Sequence, residues 1–256
     1  AIEALGDGTF TESQIQAFEA QEKPRTSISV EAGLTRTYGR GSIYAGLERL
    51  TDATLGREWL RDDGANVRID RCLLDANWGQ SNDVVYQFCR QSKHAAALMP
   101  SHGRYVGASS VPLNQYKKKR GDRTGLNWRI PTVGGKRAVR HIVYDTNFWK
   151  SFVQSRLGVP IGDPGALTLY GQSPERHRLL AEHLTSEYRV QTQGRGRTVE
   201  EWKLRLVNSD NHWLDGLVGC AVAGSMCGAG LPGVHQATEA KRGSYASRYA
   251  AWKAKT

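Results

Sequence analysis

The chain has 256 residues, 39% of them hydrophobic, enough to bury the core of one large domain or of one domain with appendages. Its 35 Lys and Arg against 25 Asp and Glu leave a formal charge of +10, which fits nucleic acid, although a membrane surface or an acidic protein answers to the same charge. No apolar run reaches the roughly twenty residues of a membrane span and the acidic opening is no signal peptide, while Cys72, Cys89, Cys220 and Cys227 form no Cys-x-x-Cys pair, which argues against a zinc ribbon or disulfide framework and for buried thiols in a soluble, intracellular protein.

Residues 1–40 are polar and weakly patterned, apart from an alternation at Ile28 and Val30 that predicts one strand. From Ser42 to Trp59, Ile43, Leu47, Leu50 and Leu55 approximate helical spacing behind a serine cap, and Asp62-Asp63-Gly64 makes a turn. Val67 to Leu74 reads as a partly buried strand that places Asp75 at its carboxyl end, where open α/β sheets collect their sites. Ser81, Asn82 and Asp83 start a helix carrying Val84, Val85, Phe88 and Cys89, and Ala95 to Met99 follows as a buried strand.

A Gly-rich, strongly basic stretch runs from His102 to Arg123 and predicts an exposed loop or hairpin. His141 to Tyr144 is a further strand ending in Asp145. Thr146 or Asn147 then caps a helix whose face is Phe148, Phe152, Val153 and Leu157 and which Pro160 stops. Ser173-Pro174-Glu175 starts another helix, Tyr188–Val190 and Trp202–Leu204 form a strand pair, and the last helix begins near Asp210. Beyond Pro232 the chain becomes polar and basic with interspersed Tyr and Trp, and no internal repeat is present.

Two acidic signatures carry the chemistry. Asp75 follows Leu73 and Leu74 directly, so its carboxylate needs either a cation or several donors; an Asx turn at the strand end is the structural alternative. Asp210 has the residue type and position of a helix cap. Asp215 is harder to explain structurally, because it falls inside a helix among Leu214, Leu217 and Val218, beside Gly216 and Gly219, which leave room for close packing or a ligand. His212 can bind metal or shuttle a proton, or simply sit in the first helical turn. Carboxylates brought together from a strand end and a distant helix are a common way to hold divalent cations in nucleases.

Lys117, Lys118, Lys119, Arg120 and Arg123, then Lys136, Arg137 and Arg140, then Arg195 to Arg205, make three basic groups suited to phosphate contacts. A solvated charged loop is the alternative. No Gly-x-x-x-x-Gly-Lys-Ser/Thr loop and no Gly-x-Ser-x-Gly elbow occur, so neither P-loop ATP hydrolysis nor that serine chemistry is encoded.

The segments Cys72-Leu-Leu-Asp75-Ala-Asn-Trp-Gly-Gln-Ser81, Val84-Val-Tyr-Gln-Phe-Cys-Arg90, Pro100-Ser-His-Gly-Arg-Tyr-Val-Gly-Ala-Ser109, Tyr144-Asp-Thr-Asn-Phe-Trp-Lys150, His183-Leu-Thr-Ser-Glu-Tyr188 and Asp210-Asn-His-Trp-Leu-Asp215 all lie between Gly41 and Pro232. Over that run the chain resembles the nuclease half of the large terminase subunit of lambda-type tailed bacteriophages and prophages. The resemblance implies an α/β fold, an RNase H-like mixed sheet flanked by helices, and a domain over 41–232 between a poorly patterned segment, 1–40, and a basic aromatic tail, 233–256.

It further implies two-metal cleavage with Mg²⁺ or Mn²⁺ and cutting of concatemeric double-stranded DNA during packaging, in the cytoplasm of the bacterial host. Its partners would be an ATPase domain, a small terminase subunit and the portal or procapsid, with no membrane. Asp75, Asp215 and Asp210 are then the expected metal ligands, with His212 beside them in the catalytic set. One departure stands out. The family draws its first metal-binding aspartate from an opening strand in a Val-Asp-Val-Gln-like segment, which has no counterpart upstream of Asp75; Glu31 is the only stand-in by position. The sheet is therefore expected to be incomplete at its first strand, and the rival to an active nuclease is a non-catalytic DNA-binding or packaging module with a degenerate site. Glu187 and Asp145 fall at recurring family positions, where a capping or structural role is the alternative to metal binding.

Overall fold

The computed structural model describes residues 41–232, except 42, 62, 78–81, 135–138, 170, 172 and 208. The strand expected at Ile28 and Val30, the stand-in Glu31, the basic residues Lys136 and Arg137 and the tail all lie outside the described residues.

Helix α1, over residues 43–55, turns Ile43 and Leu55 inward, but Leu50 is left 44% exposed, and the helix ends short of Trp59. Trp59 instead opens a small antiparallel hairpin, β1 (Trp59–Leu60) and β2 (Asn66–Val67), turned at Gly64 with φ of 80°. The strand predicted from Val67 to Leu74 is thus two strands. Between them Arg68 pairs with Glu58 and Arg71 donates to the Ala96 carbonyl, contacts that hold the link out of any ladder. The sheet strand β3 is Cys72–Asp75. Helix α2, Asn82–Gln91, buries Val84, Val85, Phe88 and Cys89 as expected and returns the chain to β4, Leu98–Arg104, parallel to β3.

Strand β4 begins later than expected and runs through Pro100. The Cys72 and Ala76 amides bond to the Ala97 and Ser101 carbonyls, so the odd-numbered residues of β4 serve β3. Pro100 therefore faces the other neighbour, whose ladder starts only at Ser101↔Ile142, and no amide is missed there. The basic stretch then crosses a short 3₁₀ turn, Leu113–Gln115, to β5 (Arg123–Gly125), β6 (Trp128–Ile130) and β7 (Ile142–Asp145). The sheet order is β3-β4-β7-β6-β5, parallel across β3, β4 and β7 and antiparallel across β6 and β5. Helices flank this five-stranded mixed sheet, consistent with the RNase H-like architecture implied by the resemblance.

Helix α3 is Thr146–Leu157, α4 is Arg178–Leu184 and α5 is His212–Met226; between α4 and α5 an antiparallel ribbon, β8 (Glu187–Gly194) and β9 (Arg197–Leu204), forms its own sheet. One face of the main sheet contributes Leu73, Met99, Ile130, Ile142 and Tyr144 to a core with Trp149, Val153, Leu214, Val218 and Val222 of α3 and α5. The other face packs Cys72, Leu74 and Leu98 on Leu55 of α1 and Val85 and Phe88 of α2. All four cysteines are free, but Cys220 and Cys227 are exposed rather than buried. Leu214, Val218 and Val222 form the inward stripe of α5, so Cys220 points away from the core, and Cys227 lies past the helix end. Among the described residues no helix is long and apolar enough to cross a membrane.

Neither Thr146 nor Asn147 caps α3. Asp145 does, accepting from the Phe148 amide at 3.2 Å. Burial pushes its carboxyl up to about 6, against the amides of Phe148 and Asn147 and the charge of Arg197. Because the folded protein then holds this proton more tightly than the unfolded chain, stability falls as pH rises through the interval from about 4 to about 6. Asp145→Asn keeps a good cap and removes the titration. The variant should match wild type in urea melts near pH 4 and gain about 1–3 kcal/mol over it above pH 6. A constant difference across that range would mean that Asp145 is ionised throughout.

Candidate active site

Period-two alternation along β3 puts Asp75 on the same face as Leu73, the face covered by α5. The same rule places Gly103 of β4 and Tyr144 of β7 on that side. A Cβ at Gly103 would meet the Tyr144 hydroxyl oxygen at 3.3 Å and a Thr146 methyl at 2.7 Å, so only glycine fits there without a shift. Burial raises the Tyr144 hydroxyl pKa, and the charges of Asp75 and Asp215 raise it further. The tyrosine thus lies in the field of both aspartates that the sequence singled out.

Asp75 is exposed, and its Oδ1 accepts from the Asn77 amide at 3.0 Å, so the Asx turn is present. Asn77 ties this turn to a polar chain: its Nδ2 donates to the Gly103 carbonyl at 3.2 Å, which orients the amide so that Oδ1 faces His102 Nδ1 at 2.8 Å. His102 Nε2 lies 2.7 Å from the Tyr86 hydroxyl. Desolvation lowers the His102 pKa, with Asp75 opposing. In the neutral ring Nδ1–H donates to Asn77 and Nε2 accepts from Tyr86, so every polar atom of the chain has a partner.

Asp215 sits in the first turn of α5 with its side chain 47% exposed. Its Oδ1 is 3.0 Å from Lys150 Nζ of α3, and that ammonium is 2.5 Å from Glu187 Oε1 at the start of β8. Asn211 Nδ2 donates to the same Glu187 oxygen at 2.6 Å. Glu187 Oε2 is buried with no hydrogen-bond partner among the described residues. The Asp215 carboxyl is raised above its usual range, first by desolvation, while Lys150 lowers it and Glu187 and Asp75 raise it. Three carboxylates from a strand end, a ribbon and a helix thus share one electrostatic neighbourhood with a single lysine. Among the described residues a Cβ on Gly216 or Gly219 would meet nothing within 4 Å, so no described neighbour packs closely on these glycines of α5 beside Asp215.

Asp210 does not cap α5. The N-cap is Asn211, without a side-chain cap bond, and the Trp213 amide is accepted by His183 Nδ1 at 3.3 Å. Asp210 lies outside the helix, its Oδ1 3.5 Å from Nε2 of the exposed His212. Lys150 and Glu187 belong to the site more directly than either, although their spacing carries no motif. The sequence pointed to Glu187 only through its recurring family position, with a structural role as the alternative, and to Lys150 only as the end of the family-like segment Tyr144–Lys150.

The donors suit a hard divalent cation: carboxylate oxygens only, one of them buried and unpartnered, with more negative charge than one lysine neutralises. Among the described residues, however, no three His, Cys, Asp or Glu side chains stand in metal-holding geometry. Between two of the carboxylates stands the Lys150 ammonium.

The basic residues lie elsewhere on the sheet. Lys117 to Arg120 are exposed on a loop shaped by Asp122, whose carboxylate accepts from the Lys119 amide at 2.9 Å and the Thr132 amide at 2.7 Å. These bonds lower the Asp122 pKa, and Gly121 turns the loop at φ of 90°. Arg123 and Arg140 are also exposed. The ladders pair Asp75 with Ser101, Ser101 with Ile142, the next residue Val143 with Arg129, and Arg129 with Thr124, so the end of the basic loop is within about a residue of level with Asp75, four strand spacings or about 19 Å away. In the third group, Arg197 is committed to the Gly107, Ala108 and Ser110 carbonyls and Arg205 to that of Thr185.

In a comparison with known protein families, the family described as "Terminase large subunit gpA, endonuclease domain" matches residues 33–237. No curated protein and no solved structure matches the chain.

Proposed function

Because the chain belongs to the endonuclease-domain family of terminase large subunits, we propose that it cuts double-stranded DNA with the help of divalent cations, Mg²⁺ or Mn²⁺, and that concatemeric viral DNA is its substrate. The observation that carries this reading is the electrostatic coupling of Asp75 and Asp215, from elements 140 residues apart, beside the buried carboxylate of Glu187. Asp75 and Asp215 would hold the cation, with Asp210 and His212 at the edge of the site. A bound cation supplies an activated water and a counter-charge for the leaving oxygen. The Asn77–His102–Tyr86 chain keeps the Asp75 turn in place, and the half-exposed side chain of Asp215 gives the DNA backbone access to it.

The basic loop belongs to the same reading. A span of about 19 Å between Asp75 and Arg123 matches the width of a duplex, so a strand at the carboxylates leaves phosphates within reach of Lys117 to Arg120. Replacing Lys117, Lys118, Lys119 and Arg120 with Ala should weaken binding to unrelated duplexes alike and flatten the salt dependence, since phosphate contacts act through counterion release. Fluorescence anisotropy at several salt concentrations measures this. An unchanged slope of log affinity against log salt would make the loop a solvated surface. In the cell the domain would work beside an ATPase motor, a small terminase subunit and the portal, in the host cytoplasm. Incubating the chain with plasmid and Mn²⁺ tests the catalytic reading itself; binding without nicking would favour the non-catalytic packaging module, for which the missing opening-strand aspartate is the motivating observation.

A further inference from the structure

Among the described residues Lys150 is the one cation shown between the carboxylates of the site, and its two contacts are unequal. Toward Glu187 it is 2.5 Å away and both side chains are almost fully buried, at 10% and 4% exposure, with Asn211 bracing the same oxygen. Toward Asp215 it is 3.0 Å away, and that side chain is 47% exposed. The Glu187 contact is thus an anchor. Asp215 is the less enclosed of the two carboxylates, so its contact is the one that can open. Counting Asp75, Glu187 and Asp215 as ionised against one ammonium, three negative charges less one positive leave −2, the charge of the cluster with Lys150 in place.

We infer that Lys150 is a resident counter-ion that a divalent cation must displace from Asp215, so that this lysine sets the cation affinity of the site. The inference rests on the reading of Asp75 and Asp215 as cation ligands. Without a cation, the ammonium pairs with Asp215 and Glu187 together and so ties α5 to α3 and β8. A bound divalent cation would take the place of the ammonium at Asp215, with Lys150 keeping its contact with Glu187, and would offset the −2 of the cluster. Lys150 is therefore a positioning residue, acting through Asp215 rather than on the DNA. Its cost is lower affinity for the cation; its benefit is that the carboxylates are held in place before the cation binds.

The test is Mn²⁺ binding at pH 8, followed by the electron paramagnetic resonance signal of free Mn²⁺, with thermal melts in parallel. The variants are Lys150→Gln and the double variant Lys150→Met with Glu187→Met, which replaces a buried ion pair by apolar side chains and is expected to fold even if the single variant does not. Lys150→Gln should bind Mn²⁺ at least about tenfold more tightly than wild type, because the positive charge 3.0 Å from Asp215 Oδ1 is gone. The double variant should bind more tightly by a smaller factor, because it also loses the negative charge of Glu187, which lies farther from Asp215 than the ammonium does, and Mn²⁺ should raise the melting temperature of each more than it raises that of wild type. If wild type binds Mn²⁺ and the variants bind equally or more weakly, the counter-ion role is overturned while the cation site stands. If wild type binds no more Mn²⁺ than Asp75→Asn, the site itself is refuted, and the role of Lys150 with it.

Discussion

Asp75→Asn is expected to abolish Mn²⁺-supported nicking of plasmid DNA, by at least about 100-fold, while the chain melts as wild type does. The substitution removes one negative charge at constant shape. The turn that Asp75 makes survives, because Oδ1 accepts from the Asn77 amide, and an asparagine carbonyl accepts the same bond. What is lost is the anionic oxygen facing the neighbourhood of Asp215 and Tyr144. Asp215→Asn should lose activity to the same extent. Asp210→Asn should retain most of it, since Asp210 is exposed, lies outside the helix and has its Oδ1 3.5 Å from the exposed His212 ring. Wild-type cleavage by the Asp75 variant would sink the assignment, and a complete loss at Asp210 would extend the ligand set to that residue.

Glu187→Ala should destabilise the fold by about 3–5 kcal/mol in urea unfolding, the cost of stranding a buried charge. The Lys150 ammonium would keep only the half-exposed Asp215, and Asn211 would lose its acceptor. Glu187→Gln should cost less, because the amide oxygen still accepts from both donors. The double variant in which Met replaces both Lys150 and Glu187 should recover most of the loss, since a buried pair exchanged for packed apolar side chains is often neutral. If Glu187→Ala were as stable as wild type, the pair would have to be more hydrated than its 4% and 10% exposures imply, and its role as the anchor of Lys150 would fall.

The elements that sequence reading located well were those whose patterns are local. The apolar stripe of α2, the ends of α3, the strand pair β8–β9 and the strand before Asp145 follow from side-chain period and from Pro and Gly punctuation. The misplaced boundaries came from neighbours. The strand expected over Ala95 to Met99 instead runs on through Pro100, because the proline faces the side where the next ladder has not begun. Val67 was joined to Leu74 because the intervening residues alternate, although Arg68 and Arg71 are drawn to Glu58 and Ala96. Caps shifted by one or two residues for a similar reason. Asp145 outcompeted Thr146 as the acceptor for α3, and at α5 a histidine from α4 took the amide that Asp210 was expected to satisfy.

By itself the sequence determined the mixed α/β class, the absence of a P-loop, the positive balance of charge, and Asp75 and Asp215 as the acids least explained by local structure. All of these depend on residue type and on spacing within one element. Only the tertiary structure decided that Lys150 and Glu187 share the neighbourhood of Asp215, that Asn77, His102 and Tyr86 brace Asp75, and that the basic loop ends nearly level with Asp75 on the far side of the sheet. The physical reason is that a buried charge is tolerated only through its partner, and the partner is chosen by how helices and ribbon pack on the sheet, which no spacing along the chain records.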